Sequence, residues 1–181
     1  GDSEKDLEYL KKQTDIYKDD ENALEILRAI GRKMYELMPD DKKDEINRMV
    51  GSTNESINMT IEEAMFQLKN NHDTVKAENM FASVIHETEG LYADDEASEY
   101  RCFDNMVEKM IYDILEKPQK DVRHPSFNYK LIYYAYGYCL IDNGKPDEAE
   151  AALLTAHKWA PVSSEVMFEL AEIYKHSKRY D

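Results

Sequence analysis

Apolar residues recur every three or four positions along most of this chain, the spacing that lines one face of an α-helix. In the N-terminal third, Leu7, Leu10 and Ile16 mark a weak stripe over Asp6–Tyr17. Leu24, Leu27, Ile30, Met34 and Leu37 form a stronger one, predicting a helix over 21–38 that Pro39 ends. A short helix is expected over Asp40–Val50, with Gly51 as its cap and the Ser/Asn-rich stretch Gly51–Ile57 as the internal boundary. Beyond it the pattern predicts helices near 60–70, 74–87, 95–117, 128–142, 146–159 and 164–178. The 95–117 helix rests on Tyr100, Phe103, Val107, Met110, Ile114 and Leu115, and runs to Lys117-Pro118 without the midpoint break of a hairpin. A loop, Gln119–Pro125, follows it. Strand-type alternation never extends beyond a few residues, except in the tyrosine-rich run Leu131–Ile141, so the expected fold class is all-α.

By propensity alone that run could be a buried strand. The register of the helical repeat that this run belongs to, identified below by its resemblance, decides for helix. Tyr133, Tyr136-Gly137 and Leu140 are spaced as one helix face, Asn143-Gly144-Lys145-Pro146 breaks it, and Ala149, Leu153 and Ala156 line a second helix before Pro161. Gly137 and Ala149 fall where two antiparallel helices approach most closely, and Tyr133, Leu140 and Leu153 fill the wider space beside them. Gly144 suits a left-handed helix end and Pro146 the first turn of the next helix.

Lys130–Ser163 therefore resembles a tetratricopeptide repeat, W-x2-L-G-x2-Y … A-x3-F … P. Tyr133 stands for Trp, Tyr136 for Leu, Leu140 for Tyr and Leu153 for Phe, so bulk is kept rather than identity. About 34 residues onward, Met167, Leu170, Ala171 and Tyr174 fall in the same register, and Glu165 suits the positive end of that helix. Lys178–Asp181 lies where the turn to a further helix belongs, so the array is expected to be cut mid-unit. Leu170, Ile173 and Tyr174 would then be partly uncovered, inviting self-association through this last helix. A weaker copy covers Asn58–Leu91. Ile61, Ala64-Met65 and Leu68 form its first face, Asn70–Asp73 its turn, and Ala77, Phe81 and Val84 its second face. Thr60 and Glu63 there have capping-box spacing.

The resemblance implies a TPR-like antiparallel helix-hairpin solenoid with additional N-terminal helices and one long middle helix. Residues 1–57 form the N-terminal helical region and 58–181 the repeats: 58–91 weak, 92–129 degenerate, 130–163 strong and 164–181 truncated. It also implies a concave, partner-binding groove, whose candidates are Leu131, Tyr134, Tyr138 and Ile141, with Phe168 extending the stripe. Either a peptide or helix from another protein occupies that groove, or the chain's own extra helices fill it. Co-chaperones of this family hold a C-terminal carboxylate with Lys, Asn and Arg on the concave helices. Here those positions carry Glu62, Phe66, Tyr134, Tyr138, Glu165 and Glu169, which argues against that ligand.

Charge narrows the partners. The net charge of −15 disfavours phosphate backbones, which need clustered Lys and Arg, so no nucleic acid is expected. No apolar run reaches the roughly 18 residues of a membrane span, and no signal peptide is visible, so no membrane partner and a cytoplasmic location are expected. Cys102 and Cys139 lie in apolar stretches and read as small core residues in a reducing setting, with a disulfide between them as the alternative.

Candidate chemistry is sparse. The five histidines are scattered, without the spacing of a zinc helix motif. The densest group of metal-ligand types is His86, Glu87, Glu89, Asp94, Asp95, Glu96 and Glu99, whose acids also suit the positive N-terminus of the 95–117 helix. No phosphate loop, nucleophile elbow or thiol–histidine pair occurs, so no enzyme, no cofactor and no metal are expected. The expected function is a protein- or peptide-interaction module of a scaffold or adaptor. A peptide-responsive regulatory domain and an accessory subunit of an enzyme are the alternatives.

Overall fold

A computed structural model describes residues 3–18, 20 and 23–176. These are mostly helical, with two three-residue strands. The chain divides into two compact units between Glu55 and Ser56.

In the first unit, α1 (Ser3–Tyr17) packs on α2 (Leu24–Leu37). Ile30 on α2 is buried, and Leu27, Met34 and Leu37 are partly so. The side chain of Leu24 and the backbone of Glu21 lie outside the described residues. The Tyr35 hydroxyl donates to Asn47 Oδ1 at 2.9 Å, tying α2 to the start of α3 (Asp40–Phe66).

The division between the two units falls inside the expected boundary Gly51–Ile57, but the helix end expected there is corrected, because the backbone of α3 stays helical throughout. Thr53 Oγ1 donates to the Met49 carbonyl and Thr60 Oγ1 to the Ser56 carbonyl, both at 3.0 Å. Such back-bonding satisfies hydroxyls inside a helix instead of drawing the backbone into a turn. Gly51 has no positive φ and so caps nothing. Thr60 sits mid-helix rather than at a start, and Glu63 accepts from Gln67 Nε2 at 2.6 Å instead of closing a capping box. A π-turn (Gln67–Asn71) follows, held by the ladder Asn71 to Gln67 to Glu63. His72 takes the left-handed conformation (φ 53°), and Asp73 accepts from the Lys76 N–H to start α4 (Thr74–Thr88).

In the second unit, α4 packs on α6 (Tyr129–Asp142), α6 on α7 (Pro146–Trp159), and α7 on α8 (Ser164–His176). Ala64, Ala77, Phe81 and Val84 meet Ile132, Ala135 and Cys139 in one core cluster. Leu140, Ala149 and Ala152 form a second, and Leu153, Ala156, Val166 and Leu170 a third. The α6–α7 contact is close at Gly137. A Cβ there would lie 2.9 Å from Leu153 Cγ and 3.5 Å from the Ala149 carbonyl oxygen. Gly144 (φ +75°) ends α6, and Pro146 opens α7. The tyrosine-rich run is helix.

The segment before α6 overturns the long helix expected over 95–117. Its first half is β1 (Ser98–Tyr100), and only Met106–Glu116 is helical, as α5. After α5, β2 (Asp121–Arg123) pairs in parallel with β1, Ser98 opposite Asp121. Side chains dictate the change. Asp95 Oδ1 accepts from the N–H groups of Ala97 and Ser98 and from the Ser98 hydroxyl, fixing a turn. Asp94 accepts from the Tyr100 N–H and binds the Arg101 guanidinium at 2.9–3.0 Å. Asn105 Oδ1 then caps α5 through the Val107 and Glu108 N–H groups. These acids therefore build a turn and a strand edge, not a charged helix start. The 92–129 region is a small β–α–β unit rather than a degenerate hairpin.

Candidate functional site

Helices α6 and α8 carry the groove candidates. On α6 the side facing α4 and α7 is apolar and buried through Ile132, Ala135, Cys139 and Leu140. Its other side carries Leu131 and Tyr134, both partly buried, then Tyr138 (45% exposed) and Ile141 (38% exposed). Phe168 on α8 is 63% exposed. Tyr134 donates to Glu169 Oε1 at 3.3 Å, and Lys130 bridges Glu165 at 2.7 Å, so α8 runs beside α6. Phe168 is three residues from Glu165 and adjacent to Glu169, on the stretch of α8 that these contacts anchor.

The last helix is better covered than its position suggests. Leu170 is buried, and Ile173 and Tyr174 pack partly buried against the Leu153–Ala156–Val166 cluster. The exposed apolar residues of α8 are instead Met167 and Phe168. Of the stripe expected to be partly uncovered, Leu170 is covered, whereas Ile173 and Tyr174 are only partly so. The turn expected at Lys178–Asp181 lies outside the described residues.

Lys130 is the principal residue that sequence reasoning missed. Its side chain is 6% exposed, yet it reaches Asp104 Oδ2 at 2.6 Å and Glu165 Oε2 at 2.7 Å. Burial alone would lower its pKa, but the hydrogen bonds to Asp104 and Glu165 outweigh burial and raise it. One cation thereby joins the β–α–β segment, α6 and α8. In sequence, Lys130 is an ordinary residue near a helix start, and only the fold brings both carboxylates to it.

A cleft of about 390 Å³ opens where β1 meets α6 and α7, walled by Tyr92, Tyr100, Tyr133 and Trp159 with Arg101 and Lys158. The Tyr92 and Tyr100 rings lie 5.2 Å apart, and Trp159 stacks on Tyr129 at 4.4 Å, so much of this aromatic surface is committed to packing. The Cys102 N–H donates to the Trp159 carbonyl at 2.8 Å, fixing β1 against the end of α7. Arg101 spends its terminal nitrogens on Asp94, Glu99 and the Tyr100 carbonyl.

Burial favours the protonated forms of both thiols and of Tyr112 and Tyr129. Burial raises the Cys102 thiol and pushes Cys139 up to about 12, so neither forms a thiolate nucleophile near neutrality. Both are buried and unpaired, as small core residues, and no disulfide joins them. Burial, aided by the hydrogen bond to Glu99, takes Tyr112 to about 12, and burial takes Tyr129 to about 12. Among the described residues no group of three or more His, Cys, Asp or Glu is arranged to hold a metal ion. Asp94 and Asp95, from the densest ligand group in the sequence, are engaged with N–H groups and Arg101. No described helix is long and apolar enough to cross a membrane.

No family model, curated protein or solved structure matches the chain.

Proposed function

We propose that this chain is a protein-interaction module built on tetratricopeptide-like helical hairpins, taking a peptide or helix from a partner protein and performing no catalysis of its own. The exposure of Tyr138, Ile141 and Phe168 carries the reading, since these side chains stand on helices whose opposite faces pack into the core, through Ile132, Ala135, Cys139 and Leu140 on α6 and Val166 and Leu170 on α8. Large aromatic and aliphatic residues on a rigid scaffold are the usual anchors of binding energy.

The packing order α6, α7, α8 is the order of a first helix, its partner and the next first helix. Lys130–Glu165 and Tyr134–Glu169 each join positions 35 residues apart, close to the repeat of about 34 that brings equivalent helices side by side. Both cysteines being free and buried suits a reducing, intracellular setting.

The test is a single variant with two readouts. Tyr138→Ala should leave the melting temperature within a degree or two of the parent, because the side chain is nearly half exposed. It should weaken capture of the full chain's partner by roughly 30-fold, the scale of a lost hot spot. A variant that captures its partner as the parent does would remove this face from consideration. Marked destabilisation would instead mean that the groove is filled internally.

A further inference from the structure

The cleft between β1, α6 and α7 is lined by hydrogen-bond donors whose acceptors are missing. Among its walls, the Tyr92 and Tyr133 hydroxyls, the Trp159 indole N–H and the Lys158 ammonium find no partner in the described residues. None of these atoms is sealed from solvent. Indole and ammonium can only donate, and a tyrosine hydroxyl can do so as well. The acceptors of the wall, by contrast, are spent. Asp94 takes the Tyr100 N–H and the Arg101 guanidinium, both at 2.9 Å. Arg101 adds to the imbalance, because its Nε is buried and meets no acceptor.

Charge points the same way. Arg101 and Lys158 against Asp94 leave one positive charge in excess on the wall, in a chain whose net charge is −15. Glu89 acts electrostatically on the Tyr133 hydroxyl, but it is exposed and outside the wall, where solvent and salt screen it. A cationic ligand would meet Lys158 and Arg101 and leave the unpaired donors unanswered.

The aromatic walls are held in place before any ligand arrives. Tyr92 packs against Tyr100 at 5.2 Å and edge-on to Tyr129 at 5.9 Å. Trp159 stacks on Tyr129, which is not a wall residue, so this stack uses a part of the indole that the cleft does not. Rings fixed in this way lose little freedom when a flat molecule lies against them. The volume of about 390 Å³ is at the small end of ligand pockets.

We propose that this cleft binds a small aromatic monocarboxylate, its ring against Tyr92 and Trp159 and its carboxylate on Lys158, the Tyr133 hydroxyl and the Trp159 N–H. Hydrogen bonds to an ionised acceptor are the strong ones, and these donors supply them without an opposing unpaired acid on the wall. The site shares no residue with the α6–α8 surface and stands whether or not that surface binds a partner.

Trp159 is the single tryptophan, so its selectively excited fluorescence reports from the wall itself. Titrating the full chain with hydrocinnamate is expected to change that emission saturably, with a dissociation constant on the order of 1 mM or below. The same ligand should raise the melting temperature. Hydrocinnamamide should bind about tenfold more weakly, and phenylpropylammonium should not compete. Lys158 is exposed, so Lys158→Met should keep the parent melt, weaken the acid about fivefold or more and leave the amide unchanged. That split separates a lost charge from a damaged wall. Tyr133→Phe keeps the ring and removes a hydroxyl that holds nothing, so it should also melt like the parent while weakening the acid. The proposal is overturned by an emission that hydrocinnamate leaves unchanged or alters without saturation. An ammonium that binds as well as the acid overturns it too, as does a Lys158→Met chain that binds the acid like the parent.

Discussion

The α6–α7 hairpin and the β1–α5–β2 segment lie next to each other in the chain and obey opposite rules. In the hairpin, helical periodicity and burial coincide: Ile132, Ala135, Cys139, Leu140, Ala149, Leu153 and Ala156 all point inward and are nearly inaccessible. In α5, the periodicity is as clear, but the stripe faces solvent and a tyrosine anchored to a carboxylate faces in. An amphipathic pattern states that a helix has two unlike sides. Which side turns inward depends on what else is bonded to it. In the hairpin the buried polar groups, Lys130 and the Tyr129 hydroxyl, sit at the start of α6 and are paired there, so apolar packing sets the rest of its inner face. In α5 the Tyr112–Glu99 bond, the Phe103 contact and the Asn105 and Glu108 caps hold the polar side against the strands.

Substituting one residue in each region breaks the comparison most sharply. Gly137→Leu is expected to have the largest effect. The new side chain enters where a Cβ alone would meet Leu153 Cγ at 2.9 Å, and overpacking of this kind costs about 1–3 kcal/mol, or more when backbone must move. Chemical denaturation measures it, and a parent-like midpoint would show that the hairpin yields at its tightest point.

Acid should act on the hairpin through Glu78, and less strongly. The Lys145 hydrogen bond, followed by that from Asn143, both at 2.6 Å, holds this carboxyl below its ordinary value despite some opposing burial. A pKa lowered in the folded state contributes stability that is fully present above the unfolded value, about 4.3. That contribution is lost as pH falls from there through the folded pKa. Glu78→Gln should therefore melt lower than the parent at neutral pH and lose less on acidification. Parallel melting curves for the two proteins across that window would exclude the linkage.

The smallest effect is expected in α5. Ile114→Ser removes a side chain that is 66% exposed, at little change in helix propensity, so stability should move by no more than about 0.5 kcal/mol. Chemical denaturation is the measurement. A loss comparable to that of Gly137→Leu would mean that the stripe of α5 is core after all.

Much of the fold was legible because its determinants are local. The stripe from Leu27 to Leu37, the break at Asn143–Pro146 and the small pair Gly137 and Ala149 each express a requirement of one helix or one hairpin. The observed helices Leu24–Leu37, Thr74–Thr88, Tyr129–Asp142, Pro146–Trp159 and Ser164–His176 lie close to the ranges that periodicity predicts. The misreadings share one cause. At Gly51–Ile57 and over 95–105, side-chain hydrogen bonds decided the backbone against propensity. Thr53 accommodated a helix where composition suggested a loop, and Asp94, Asp95 and Asn105 imposed turns where spacing suggested a helix. Tyr100 and Phe103 matched helical spacing without being helical.

The groove candidates were named from register, and their exposure is a property of the fold alone. Tyr134 and Tyr138 occupy the same stripe of α6, yet one leans on Glu169 of α8 and the other stands in solvent. Lys130 carries no signal at all until Asp104 and Glu165, 26 and 35 residues away, arrive beside it. By itself the sequence determined that the chain is helical, where its tightest hairpin bends, and which residues line each helix face, since periodicity and turn chemistry act within a few residues. Only the tertiary structure decided which faces are buried, which charges meet and which apolar stripe is left outward, because those outcomes depend on competition between groups far apart in the chain.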